Sequence, residues 1–221
     1  MLPRMSALNS AGSKDVYHSL IEKSVNILFV VSFPIIIISE VCAPQIIGLL
    51  GGSEYHQSIG IMRIIIPLVF VVGYEQILVV QILTSLGKDK DILKTSIVGA
   101  VTALGLNILF VPHLYATGSA IVWVISELCV LMTAQTFVSK YVEVLFPFKT
   151  LFINVMYALP IAAIGFAIMH FTSYHIVSLF VFALLLFIYY IIVEFCVVKN
   201  QLVISYMNGL FARFHFRLPK R

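Results

Sequence analysis

The stretch Gly51-Gly52-Ser53-Glu54-Tyr55-His56-Gln57-Ser58, continuing through Arg63 and Glu75 to Ile82-Leu83-Thr84-Ser85-Leu86-Gly87-Lys88-Asp89-Lys90, decides how this chain is read. It is a polar turn, then a long apolar run, then a glycine and a burst of charge. The run 64–86 is 23 residues long, and a helix needs about 20 apolar residues to cross a bilayer core. Glu75 sits at its centre, with Gln76 and Gln81 nearby. A carboxylate at that depth costs several kcal/mol unless it faces protein or water. The helix is therefore expected to line something.

Composition agrees with the span. The chain has 221 residues, of which 61% are hydrophobic and 11% charged, with a mean hydropathy of +1.05. Soluble domains run nearer 45–50% apolar and about 25% charged. An integral membrane protein is expected, with no cleaved signal peptide: the first 23 residues are mixed polar, and the first apolar run lacks a small-residue cleavage site. A net charge of +4 does not call for nucleic acid, because basic residues in membrane proteins mark topology and meet lipid headgroups. Cys42, Cys129 and Cys196 are widely spaced in or beside apolar runs. They give neither a disulfide framework nor a zinc site and read as small buried apolar residues.

Taken in order, 1–23 is a polar cytoplasmic lead-in. The first apolar run covers 24–41 and is expected to kink at Pro34. Cys42-Ala43-Pro44 breaks it, and 45–50 reads as a short apolar turn. The second run, 64–86, holds Pro67 in its first turn, where proline is tolerated. The third covers 92–111 and stops at Pro112; the fourth covers 118–138; the fifth, 151–171, has Pro160 near its middle; the sixth covers 176–198. The fold class is thus all-α: a polytopic membrane bundle of six transmembrane helices.

The basic residues orient it. Arg4, Lys14 and Lys23 precede the first run; Lys88, Lys90 and Lys94 follow the second; Lys140 and Lys149 follow the fourth; and Lys199, Arg213, Arg217, Lys220 and Arg221 follow the sixth. Thirteen of the 14 basic residues fall on alternate connections, leaving only Arg63 on the other side. By the positive-inside rule both termini are cytoplasmic. In the third run Ser96, Gly99, Ala100, Ala103 and Gly105 sit at spacings that permit close helix packing. The basic, aromatic tail 199–221 either lies on the anionic inner leaflet or is a frayed end.

Motifs of soluble enzymes are missing: there is no H-E-x-x-H, G-x-S-x-G, phosphate-binding loop or dinucleotide fingerprint. A membrane acyl- or glycosyltransferase would want a His-Asp pair or an acidic motif at a membrane face, and neither stands out. The chain is read as no enzyme, with no cofactor and no metal. Its six histidines fall in connections or tails and read as surface residues. Glu75 and Glu127 lie midway along the second and fourth runs. Two carboxylates at similar depth fit either a hydrated cavity that binds Na⁺ or carries protons, or groups hydrogen-bonded inside the bundle. Gln81 joins them as a pathway candidate. Glu40 and Glu194 lie near span ends, where solvation accounts for them, and Asn26, Asn107 and Asn154 read as interhelical hydrogen-bond partners. Arg63 either meets a phosphate or pyrophosphate headgroup, or snorkels to the interface and pairs with Glu54. Direct pairing with Glu75 is excluded, because twelve helical residues span about 18 Å.

Several segments together resemble polysaccharide flippases of the Wzx type. These are Pro3-Arg4-Met5-Ser6; Lys23-Ser24 with Phe33-Pro34 and Ala43-Pro44-Gln45-Ile46-Ile47-Gly48-Leu49-Leu50-Gly51; Glu54-Tyr55; Ile82-Leu83 with Gly87-Lys88; and Asn107-Ile108-Leu109-Phe110-Val111-Pro112 followed by Gly118-Ser119-Ala120. The likeness covers roughly 1–140 and is a diffuse pattern. It implies membership of the multidrug/oligosaccharidyl-lipid/polysaccharide exporter superfamily, with 24–140 as four helices of the second of two alternating-access lobes and 141–198 as an added pair. It further implies flipping of undecaprenyl-pyrophosphate-linked oligosaccharide repeat units across a bacterial inner membrane. Coupling would be to Na⁺ or H⁺, and a further lobe would come from the rest of a longer protein or from a second chain. A multidrug cation antiporter of the same superfamily and a non-transporting remnant are the alternatives. Tyr115 departs from the pattern: it stands where the family usually has glycine, and a tyrosine there is strained if the backbone needs positive φ.

Overall fold

A computed structural model describes residues 5–6, 14–144, 146–171 and 175–194. The tail 199–221, Cys196 and most of 1–13 lie outside the described residues. Among those described the structure is all-helical. Helix α1 spans Lys14–Val41, α2 Ala43–Gly51, α3 Ser58–Ile65, α4 Leu68–Gln76, α5 Asp89–Val138, α6 Phe148–Phe171 and α7 His175–Val193. Four stretches are long and apolar enough to cross a membrane: Asp15–Val41, Ser58–Leu83, Asp89–Val138 and Phe148–Met169.

The 50-residue α5 is a hairpin rather than one rod. Its backbone reverses at Tyr115, where φ is 49° and ψ −129°. The arms then run back along each other. Phe110 meets Gly118 beside the turn, where a Cβ would stand 2.7 Å from the Phe110 carbonyl oxygen. Gly99 faces Val130 midway. Tyr141 Oη donates to Asp91 Oδ2 at 2.7 Å beyond the open end. The third and fourth apolar runs are therefore this hairpin's two arms. The first arm does not stop at Pro112 as expected; helix continues to the reversal at Tyr115. A proline forfeits only its own N–H bond, and the apolar run on both sides keeps the helix going. Of the small residues expected to form a packing stripe, Gly99 does so, whereas Ser96, Ala100 and Gly105 are exposed.

The second apolar run is built differently from expectation. Helix begins at Ser58, inside what the sequence presents as a polar turn, so Pro67 falls in the interior and separates α3 from α4. Below α4, residues Ile77–Leu83 form a π-helical stretch. Its signature is visible in the bonds: Thr84 N–H donates to the Val79 carbonyl, five residues back, at 3.0 Å. Gly87, at φ 66°, then ends the helix, with its N–H donating to the Thr84 carbonyl and Lys88 N–H to the Leu83 carbonyl. The expected turn at 45–50 is likewise helical, as α2, with Pro44 in its first turn and Gly52 at φ 78° ending it.

Helix α1 is the spine. It starts at Lys14, well before the apolar run at Ser24, because Tyr17, Leu20, Ile21 and Ser24 share one buried face. Its first half packs with Tyr74, Ile77, Leu78, Ile82 and Leu83, and with Leu131, Ala134 and Val138 of the second α5 arm. Its second half, from Phe29 to Val41, packs with Phe70 of α4, Ile161 of α6, and Phe182, Leu186 and Tyr190 of α7. Helix α1 continues through Pro34. The hairpin lies against α3, α4 and the π-helical stretch, these lie against α1, and α6 and α7 pack on α1 as well as on each other.

Candidate functional site

The last turn of α4 carries Glu75, and the middle of the second α5 arm carries Glu127. The packing of α4 on the hairpin brings the two carboxyl groups within electrostatic reach of each other. Trp123, one turn before Glu127, donates its indole N–H to Glu127 Oε1 at 3.1 Å. Both carboxyls are partly buried. The arrangement can hold a proton, exchange it, or release it to a competing cation, since two carboxylates left close together repel unless a positive charge replaces the proton.

The π-helical stretch begins two residues after Glu75 and contains Gln81. Such stretches are rare and recur at functional sites. Gln81 Oε1 is shielded from solvent and accepts no hydrogen bond among the described residues. Arg63 lies elsewhere. Its Nε donates to the Glu40 backbone carbonyl at 3.2 Å, and its guanidinium stands 5.7 Å from the centre of the Phe166 ring. The Glu40 carboxylate is also within its electrostatic reach. Arg63 thus ties α3 to α1 and α6; the expected partner Glu54 is replaced by Glu40, because the chain reversal through α2 sets α3 beside the end of α1.

Three further sequence readings change. Glu194 is 1% exposed rather than solvated at a span end; it sits beside Tyr190, whose hydroxyl donates to Asn154 Oδ1 at 2.5 Å. Asn154 is thereby the interhelical partner expected of it, whereas Asn107 donates to Ala103 of its own helix at 2.7 Å. His18 is no plain surface residue. With Glu22 and Asn26 it forms a polar stripe along α1 that, with Tyr74, Glu143 and Thr150, lines a cavity of about 340 Å³. The spacing of 18, 22 and 26 is the signal that could have revealed it. Tyr74 closes the inner wall and donates to Gln135 Oε1 at 3.2 Å. Among the described residues no group of three or more His, Cys, Asp or Glu side chains is placed to hold a metal ion.

The chain matches no known protein family, no curated protein and no solved structure.

Proposed function

We propose that this protein is a six-span membrane bundle that serves as part of the second lobe of a lipid-linked oligosaccharide flippase, working by alternating access with a further lobe. In this reading the spans are α1, the Ser58–Leu83 segment, the two arms of α5, α6 and α7. The termini face the bacterial cytoplasm, and the cargo is an undecaprenyl-pyrophosphate-linked repeat unit of a surface polysaccharide such as O-antigen. The observation that carries a transport reading is the Glu75–Glu127 pair. Membrane helices place carboxyls at such depth where ions or protons pass, and two neighbouring carboxyls are a natural exchange point for H⁺ or Na⁺. The flippase assignment within that reading rests on the sequence resemblance. The same pair favours the second reading, a multidrug cation antiporter.

The test is Glu75→Gln and Glu127→Gln in the native full-length gene. Glutamine matches glutamate in shape and still hydrogen-bonds, so the fold is expected to hold while the ionisable group is lost. Surface polysaccharide should fall at least tenfold, with lipid-linked repeat units accumulating on the inner leaflet. Wild-type polysaccharide output from both stably expressed variants would end the ion-site reading. Intact polysaccharide in a strain lacking the protein, together with lost cation extrusion, would select the antiporter.

A further inference from the structure

The open end of the α5 hairpin gathers cations on an aromatic shelf. Phe137 and Tyr141 are four residues apart, on the last turn of the second arm and just beyond it. The Lys94 and Lys140 ammonium groups stand 5.6 and 5.0 Å from the centre of the Phe137 ring, and the Lys88 ammonium 4.2 Å from that of Tyr141. Three ammonium groups from the turn before α5, its first arm and its far end thus stand by two aromatic rings four residues apart.

Asp91 is the carboxylate set among them, and both its oxygens are engaged: Oδ1 by Lys94 at 3.2 Å and Oδ2 by the Tyr141 hydroxyl at 2.7 Å. Lys88 and Lys140 make no ion pair among the described residues. Nearby Asp89 and Lys90 are both exposed and offset one another. The Lys94 side chain is 61% exposed, so the cluster is open to an incoming anion. Like charges gathered in one region repel, and each ammonium offers three N–H donors. A phosphate supplies the opposite charge and several acceptor oxygens at once.

We propose that Lys88, Lys94 and Lys140 form a phosphate-binding site. Its position, at the point where the apolar run of α5 begins, is the depth at which lipid headgroups carry phosphate. The site lies at the ends of α5, remote from Glu75 and Glu127, and is independent of the transport reading.

The test is thermal unfolding of the purified full-length protein in neutral detergent, with phosphatidylglycerol, phosphatidylcholine or inorganic phosphate added in turn. Phosphatidylglycerol is expected to raise Tm by about 2–4 °C, with phosphatidylcholine much weaker, because its choline is repelled. The shift should vanish in Lys88→Gln/Lys94→Gln/Lys140→Gln and persist in Lys149→Gln, which alters a lysine outside the cluster. A shift from inorganic phosphate alone, with the same lysine dependence, supports the site and assigns a soluble phosphate as its ligand. If the triple variant does not fold, Lys140→Glu, which removes no hydrogen bond, should reduce the shift markedly. Equal shifts in wild type and these variants, or no shift with either phosphate source, overturn the proposal.

Discussion

Tyr141 donates its phenolic proton to Asp91 across 2.7 Å, joining residues 50 positions apart and closing the open end of the α5 hairpin. The bond, with help from Lys94 and Lys140, holds the Asp91 carboxyl below its ordinary range; the same carboxylate holds the Tyr141 phenol above its own. A carboxyl with a depressed folded-state value stabilises the fold above its unfolded value of about 3.9 and loses that contribution as pH falls through the lower folded value. Tyr141→Phe is therefore expected to lower Tm at neutral pH and to flatten the decline of Tm between about pH 5 and 3. Thermal unfolding across that range checks it; an unchanged acid limb would show that the bond does not stabilise the hairpin.

Gly99 is a point of close approach midway between the arms. A Cβ added there would lie 2.5 Å from Val130 Cγ2, and valine has almost no alternative rotamer in a helix. Gly99→Ala should cost about 1–3 kcal/mol, the usual range for overpacking. Val130→Ala should restore most of the loss. The check is a double-mutant cycle on unfolding in mixed micelles; additive losses would mean the two residues do not touch.

At the opposite end of the hairpin, Tyr115 occupies a backbone conformation that suits glycine, with its side chain 77% exposed. Strain of this kind costs of order 1–3 kcal/mol, and little packing is lost with the ring. Tyr115→Gly is expected to raise stability by about 1 kcal/mol, and Tyr115→Val to lower it. Paired melting curves decide; a glycine variant that melts below wild type would mean the ring holds the turn.

Tyr190 and Asn154 join α7 to α6 in a place closed to water, at 2% and 1% exposure. Tyr190→Phe leaves the Asn154 carbonyl oxygen without that donor, a loss of about 1–3 kcal/mol. Limited proteolysis should show α7 released earlier than in wild type; an unaltered digestion pattern would place the cohesion of this pair in its apolar contacts alone.

Much of this architecture is legible in the sequence, and the exceptions have physical causes. Proline at 112 and glycine at 118, between two apolar runs, announce the hairpin. Hydropathy does not mark a π-helical stretch, because 77–83 is as apolar as any α-helical segment. Pro67 reads as an entry residue only while 58–63 is taken for a turn; once Ser58 begins a helix, the same proline interrupts one. Depth along a span is readable for Glu75 and Glu127, but which faces of two helices touch depends on packing between distant segments, so their contact emerges only in the folded chain. Glu194 fails for the converse reason: nearness to a span end says nothing of what covers it.

The seven residues Ile77–Leu83 have a mechanical consequence. A wide turn in a helix can migrate one peptide at a time, each step trading one carbonyl partner for its neighbour. Whatever lies between the old and new positions swivels by roughly a third of a revolution, since successive residues differ by about 100°. Glu75 borders this stretch and Gln81 lies within it. A screw-like twist of the lower part of the Ser58–Leu83 segment against Glu127 can therefore proceed by exchange of hydrogen bonds, without snapping the helix.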